Sequence, residues 1–311
     1  RIRKPQMVSV PARKDDAFVK REAGAERAAH DAVIRRIRLI ALDLDDTVLR
    51  ADKTISARTE RAIRAAVARG CHVVLASARP LGSIASYAKE LGVEGHCIAL
   101  NGAVVATLPE LQRIREQYLE PDLVKRILAL DRTELRAENV FLEYPRSYAA
   151  RFDAPDVHAY AILAEGPASY IGDLQRASHD EVCKVVFRAD DTPFPTLERL
   201  REALGDQVAY VIWEGPWSFV EVLPLGTSKA TALEWLAARL GVAREEVLAV
   251  GDERNDIEML AWAGTGVAMG NAHPEVKAVA DWVTAPVEED GCALAIERFV
   301  LAEEVRDDRS E

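Results

Sequence analysis

The stretch Asp43-Leu44-Asp45-Asp46-Thr47 sets two carboxylates two residues apart, directly after the apolar run Ile37-Arg38-Leu39-Ile40-Ala41-Leu42. On an extended chain such side chains share a face, so Asp43 and Asp45 enter the same space. Burying two carboxylates together is unfavourable unless a cation or a proton compensates. The pattern therefore points to metal binding or acid–base work; the plainer alternative is a surface turn, which Asp and Thr also favour. Ser77 ends the run Val73-Val74-Leu75-Ala76. Its hydroxyl could bond an anion's oxygen, with the next backbone N–H near a helix start, although a simple helix cap would use the same serine. Lys229 opens a helical stretch, where a cation opposes the helix dipole unless it reaches inward to an anion; an exposed lysine is the alternative. Gly251-Asp252-Glu253-Arg254-Asn255-Asp256 follows Val247-Leu248-Ala249-Val250, so Asp252 repeats the placement of Asp43.

The elements that position these residues alternate. Residues 37–42, 72–76, 96–100, 247–250 and 266–269 read as strands, several apolar on both faces as in a buried parallel sheet. Residues 56–69, 80–91, 228–240 and 256–263 read as helices, with Ser56 a cap and Gly70 and Gly92 as stops. Such alternation predicts a doubly wound, Rossmann-like parallel sheet, whose ligands bind at the carboxyl ends of the strands. Between residues 108 and 215 the rhythm changes. Helical stretches at 121–130 and 195–204 mix with strands at 139–143, 184–187 and 207–213. The expected organisation is a core at 37–107 and 216–302, an inserted α+β cap domain at 108–215, and termini at 1–36 and 303–311.

Composition bounds the rest. The chain has 311 residues, 49% hydrophobic and 29% charged, with a net charge of −11. That balance is ordinary for a globular protein and repels phosphate polymers, so no nucleic-acid partner is expected. No apolar run spans a bilayer, so no membrane role is expected. Cys71, Cys97, Cys183 and Cys292 form no C-x-x-C pair, which fits reduced thiols in a cytoplasmic protein. Residues 1–38 carry eleven basic residues against five acidic ones. They read as a loose extension whose second half could be helical, and the charged residues 303–311 as a fraying tail.

In order, the four strand-end sites resemble the four motifs of the haloacid-dehalogenase-like superfamily, and are most similar to its Cof-type phosphatases. Asp43–Thr47 matches the first, Ser77 the second, Lys229 the third and Gly251–Asp256 the fourth. Asn101-Gly102-Ala103 and Gly266-Val267-Ala268-Met269-Gly270-Asn271-Ala272 are also typical of that group. The likeness covers about residues 37–300. Asp46 stands where glycine is common, and Ala78 where glycine is frequent.

The resemblance implies Mg²⁺ held by the Asp43 and Asp252 carboxylates and the Asp45 main-chain carbonyl. It implies phosphoryl oxygens held by Ser77, Lys229, Asn255 and the N–H groups of Leu44 and Ala78. Asp43 would form an aspartyl-phosphate; Asp45, its carboxyl left free to carry a proton, would serve as acid and then base. Asp256 would orient Lys229 or a metal-bound water, and Glu253 is an additional ligand candidate.

Only 33 residues separate Asp43 from Ser77, while 151 separate Ser77 from Lys229. An insert at the second place resembles the α/β cap that closes over small phosphorylated metabolites, such as sugar phosphates, flavin mononucleotide or pyridoxal phosphate. The cap would obstruct phosphoproteins. A dehalogenase would need neither Asp45 nor Mg²⁺. The alternatives are a phosphosugar mutase of the phosphomannomutase type and a non-catalytic phosphometabolite-binding protein. Arg146, Arg151, His158, Trp213 and Trp217 of the insert could line a pocket for a sugar or aromatic ring, although the tryptophans more often pack and the arginines are usually solvated, so none is assigned as a site residue; the oligomeric state stays open.

Overall fold

A computed structural model describes residues 36–302, apart from 136, 165, 190–191 and 215–217. The expected tail at 303–311, and all but the last residue of the expected extension, lie outside the described residues. The chain begins with β1 (Leu39–Leu42), α1 (Ala57–Ala68), β2 (His72–Ala76), α2 (Leu81–Leu91), β3 (Gly95–Ala99), β4 (Val104–Leu108) and β5 (Arg113–Glu116). It continues through α3 (Pro121–Leu130), β6 (Asn139–Glu143), β7 (Tyr148–Ala150), α4 (Pro155–Leu163), β8 (Tyr170–Ile171), β9 (Lys184–Ala189), α5 (Phe194–Leu204), β10 (Val208–Trp213) and β11 (Ser218–Pro224). The last part is α6 (Lys229–Leu240), β12 (Val247–Gly251), α7 (Ile257–Trp262), β13 (Thr265–Ala268), α8 (Pro274–Val279), β14 (Trp282–Val283) and α9 (Gly291–Ile296).

Two sheets result. The first has eight strands in the order β14-β13-β12-β1-β2-β3-β4-β5. It is parallel from β14 to β3 and closes with an antiparallel hairpin, β4 and β5. This is the doubly wound core expected from the alternation, because β1 is buried along its whole length and helices must cover both faces. Ser56 caps α1 by accepting from Thr59 N, and Ser228 caps α6 in a reciprocal pair with Thr231. The second sheet has six strands in the order β10-β11-β9-β6-β7-β8.

Strand membership departs from the expected borders on both sides. Residues 104–116 belong to the first sheet, because the β4–β5 hairpin extends the free edge of β3. Residues 218–224 belong to the second, because β11 pairs with both β10 and β9.

The second sheet alternates with period two. Val140, Leu142, Val185, Phe187, Val220 and Val222 point to one face and pack with residues of α3 and α5. Phe141, Glu143, Lys184, Val186, Phe219 and Glu221 point to the other, toward the strand ends of the first sheet. Among the described residues no helix is long and apolar enough to cross a membrane, and Cys71, Cys97, Cys183 and Cys292 are buried and form no disulfide.

The turn after β3 is tightly constrained. Leu100 and Asn101 take φ values of 51° and 56°, and Gly102 one of 96°. A Cβ on Gly102 would overlap the Ser228 carbonyl, at the cap of the helix that presents Lys229. Gly70 also has positive φ, at 81°, but a Cβ there would meet nothing. Gly70→Ala therefore bears only backbone strain, about 1 kcal/mol. Gly102→Ala adds a backbone collision and is expected to cost about 3 kcal/mol or more. Urea unfolding of both variants checks this; equal losses would mean that the turn has room to yield.

Candidate active site

Four strand ends of the first sheet meet. β1 leads to Asp43, and β12 next to it in the sheet leads to Asp252, at the point where chain order reverses and ligands collect. Lys229, the first residue of α6, is buried, with Nζ 2.6 Å from Asp43 Oδ1 and 2.7 Å from Asp256 Oδ1. Asp256 also accepts the N–H groups of Asp252 and Glu253 at 3.1 Å each. Asp252 is gripped from two sides: Thr47 Oγ1 donates to it at 2.8 Å and Asn271 Nδ2 at 3.4 Å. Gly251 is required beneath this cluster, since a Cβ there would stand 2.5 Å from the Asp256 carboxyl carbon.

Carboxylate oxygens of Asp43, Asp252 and Asp256 lie within 4.8 Å of one another, and one ammonium, Lys229, faces them. Burial pushes the Asp43 carboxyl well up, Lys229 pulls it back and Asp256 adds repulsion. Asp252 is raised by burial and then by Asp43 and Asp256. Burial disfavours charge on Lys229, but the two carboxylates more than offset it and raise its pKa. Ionised together, the three carboxylates would exceed the one ammonium by two negative charges, and the raised Asp43 and Asp252 carboxyls relieve that excess by holding protons. That excess, with hard oxygen donors held in place by Thr47 and Asn271, fits a divalent cation.

Asp43, Asp45, Ser77 and Ala78 all line one cavity of about 390 Å³. Asp45 differs from expectation. Its carboxyl is not free: Arg79 Nε and Nη2 each donate to it at 2.7 Å, and Lys53 Nζ at 2.7 Å. Burial raises its pKa, but the two cations outweigh that and bring it down to about 2. In this arrangement Asp45 is a carboxylate without a proton.

Ser77 lies in the seam between strand ends. Its N–H donates to Ile98 O, its carbonyl accepts from Asn101 N, and its Oγ accepts from Arg79 N. Ala78 has no positive φ, so a side chain is tolerated where glycine is frequent; Asp46, at 57°, occupies the left-handed region that glycine favours. The Leu44 side chain belongs to the core, which leaves only its backbone to serve a ligand. Asn255 stands one step back: its Nδ2 donates to Asn101 Oδ1 at 2.8 Å, and its Oδ1 is buried without a partner.

Several contributors were not assigned from the sequence. Arg79 and Lys53 fix Asp45, Thr47 and Asn271 fix Asp252, and Asn101 joins Asn255 to Glu221, donating to Glu221 Oε2 at 2.7 Å. Glu143, Lys184 and Glu221 line the wall opposite the strand ends or support it; their signal was a charged residue within or at the end of an apolar strand. Trp213, for which packing and pocket-lining readings were both open, lines the cavity. Arg146 donates to Leu111 O, and His158 pairs with Asp153. Arg151 is tied to Asp131 beside a separate hollow of about 580 Å³ that none of the strand-end residues lines. Trp217 lies outside the described residues.

Comparison with known proteins agrees with this architecture. The sequence pattern of the haloacid dehalogenase-like hydrolases matches residues 40–296. A Bacillus subtilis protein named 5-amino-6-(5-phospho-D-ribitylamino)uracil phosphatase YitU is 33% identical over 84% of this chain and 97% of its own. The crystal structure of a haloacid dehalogenase-like hydrolase from Bacteroides thetaiotaomicron superposes with a TM-score of 0.74, 31% identity and coverage of 85% and 99%. A sugar phosphatase of subclass IIB superposes with a TM-score of 0.74 at 25% identity, over 84% of this chain and 98% of its own.

Removing the one ammonium should expose the crowding. Lys229→Met, assayed by urea unfolding at neutral pH in chelator, is expected to lose about 3–5 kcal/mol, the cost of leaving buried charge uncompensated. Part of that loss should return when a divalent cation is added. An unchanged midpoint would mean that these carboxylates do not rely on Lys229.

Proposed function

The chain belongs to the haloacid dehalogenase-like hydrolase family, in its Cof-type phosphatase group, and from that premise we propose that it is a Mg²⁺-dependent phosphohydrolase of small phosphorylated metabolites, working through an aspartyl-phosphate on Asp43. The observation that carries this reading is the crowding of three buried carboxyl groups, Asp43, Asp252 and Asp256, around the single ammonium of Lys229, beside a cavity sized for a small ester. At about 390 Å³ the cavity lies at the lower end of the range for small-molecule sites. Phosphatase relatives named for a ribitylamino-uracil phosphate and for sugar phosphates support a substrate of that size, of the sugar phosphate, flavin mononucleotide or pyridoxal phosphate type.

The roles follow from position. Asp43 is the nucleophile, an oxygen attacking phosphorus in line with the departing alcohol. Ser77 Oγ, the backbone N–H groups of Leu44 and Ala78, Asn255 and Lys229 hold the phosphoryl oxygens. Asp256 keeps Lys229 in place through their shared hydrogen bond. The Asp43 and Asp252 carboxylates and the Asp45 main-chain carbonyl would hold Mg²⁺, which when bound offsets the charge of the phosphate dianion. Asp45 lies on the same wall as Asp43 and gives a proton to the leaving oxygen, then takes one from the attacking water. That role requires Asp45 to exchange its Arg79 contact for the leaving group and to arrive protonated.

Two measurements test this reading. Phosphate release from p-nitrophenyl phosphate and a panel of metabolite phosphates should require Mg²⁺, stop in chelator, and fall by about a thousandfold or more in Asp43→Asn. Release that survives in Asp43→Asn would remove the covalent route. The second separates the acid from the nucleophile. Since kcat/KM reports steps up to the first chemical transfer, Asp45→Asn should lower it about a hundredfold for an alkyl phosphate, whose leaving oxygen needs a proton. An aryl phosphate, with its better leaving group, should lose much less. Equal losses on both esters would leave Asp45 without an acid role.

A further inference from the structure

The last strand on each side of a β-sheet carries a row of backbone N–H and C=O groups with no strand to pair with. Among the described residues the two sheets have four such edges, β14 and β5 in the first and β8 and β10 in the second. Three of them are blunted. β14 and β8 are two residues long. β5 reads Arg-Ile-Arg-Glu, and its register with β4 shifts between Val105 and Ala106. Shortness, charge and bulges are the means by which a strand edge is kept from pairing with another chain.

β10 uses none of them. Its six residues, Val208-Ala209-Tyr210-Val211-Ile212-Trp213, include no charge, no proline and no glycine, and its register with β11 is unbroken. Ladder bonds to β11 alternate along the strand, so half of these residues turn their N–H and C=O away from the sheet. The strand is anchored on its helix side. Tyr210 and Ile212 pack there, and the Tyr210 hydroxyl lies 3.2 Å from Leu200 O and 3.1 Å from Gly205 O. Leu225, next to the β11 residue that pairs with Val208, adds an apolar side chain that is 63% exposed.

We propose that β10 is a dimerisation edge, pairing antiparallel with β10 of a second copy of this chain across a two-fold axis perpendicular to the sheet. Charge and closure identify the occupant. The chain carries a net charge of −11, so two copies repel unless the contact falls where charge is absent. A two-fold sets this uncharged strand against itself with no like charges opposite one another. The acidic residues nearest its ends, Asp206 and Glu214, lie outside the paired strand, and Glu214 is tied to Arg254 at 2.6 Å. Directly opposed residues of antiparallel strands share a face, so the helix-covered faces of both copies lie on one side and the cavity faces on the other. Two six-stranded sheets thus join into one. Each β10 is used once, and the blunted β14, β5 and β8 stop further growth. The second copy sits beside Trp213, the β10 residue that lines the cavity.

Sedimentation of the full chain tests this. Over about 1–100 μM, the range suited to a contact smaller than a standard interface, the wild type should show a monomer–dimer equilibrium that added salt tightens by screening the net charge. Ala209 lies on β10 opposite Leu223, outside the cavity lining. Ala209→Lys and Ala209→Glu should each weaken self-association by about tenfold, because the axis brings like charges together. A mixture of the two variants should regain it, since opposite charges then meet. Two variants that associate as the wild type does, or a mixture no tighter than either variant alone, overturn the proposal.

Backbone hydrogen exchange reads the edge without any substitution. Exchange of the β10 amides should slow as the wild-type dimer fills. Unchanged exchange on dimerisation places the contact elsewhere and overturns the proposal. A wild type that stays monomeric overturns it too, whether its β10 amides exchange freely or are already protected by another part of the same chain. Species that grow beyond two copies would refute the closed pairing.

Discussion

The structure depends on one electrostatic constraint: Asp43, Asp252 and Asp256 are buried within reach of one another around the single ammonium of Lys229. Like charges at such spacing repel strongly in a medium less polar than water, and the surrounding fold holds them there. Parallel strands β1 and β12 deliver Asp43 and Asp252 side by side. The N–H groups of Asp252 and Glu253 turn onto Asp256, Thr47 and Asn271 grip Asp252, and Gly251 keeps the space clear. Lys229 opens its helix against the dipole, an unfavourable place for a cation that two carboxylates at hydrogen-bond distance outweigh. Gly102, pressed against the Ser228 carbonyl, sets how deeply that helix sits.

A second set of buried charges links the two sheets. From Asn255 on the β12 side, the chain of contacts runs through Asn101 to Glu221, then to Lys184, and returns to the first sheet at Ala78 O. Buried ion pairs of this kind add little net stability, because desolvation cancels most of the attraction. They are intolerant of misplacement, however, since a displaced partner leaves a charge unmet. The contacts therefore fix where the open face of the second sheet stands over Asp43 and Ser77. The alternation of that sheet makes this possible, with Val185 and Phe187 on the helix side and Lys184 and Val186 toward the cavity.

The core was readable because its signals are local. An apolar strand followed at once by an acidic pair, or by a serine, specifies both the element and the end that faces a ligand; Asp43, Ser77 and Asp252 follow from that rule. Other features depend on contacts distant in sequence. Nothing near Asp45 foretells that Arg79 and Lys53 clamp it, 34 and 8 positions away. Arg113–Glu116 and Ser218–Pro224 took opposite sides of the expected borders because strand pairing is decided by partners, and each partner lies across a boundary that composition alone suggested. The positive φ at Asp46 explains why glycine suits that place, while Ala78 needs no such freedom. Lys184 and Glu221 were visible as charges in apolar strands, but only register shows that they meet.

The ionic pairing also bears on how a phosphate dianion could enter. Among the described residues at the strand ends, Arg79 and Lys53 are both engaged by Asp45, and Lys229 is shared by Asp43 and Asp256. Asp46 and Glu253 add further negative charge to the cavity lining. In this arrangement no cation is left to attract a dianion, and the field at the bottom of the cavity is repulsive. Releasing Arg79 from Asp45 would supply one positive charge while exposing another negative one, which gains little. A divalent cation held by the Asp43 and Asp252 carboxylates would offset the local crowding of negative groups without breaking any existing pair. The same carboxylate crowding that makes the site costly without a metal would therefore make cation binding the least disruptive route to a site that attracts an anionic substrate.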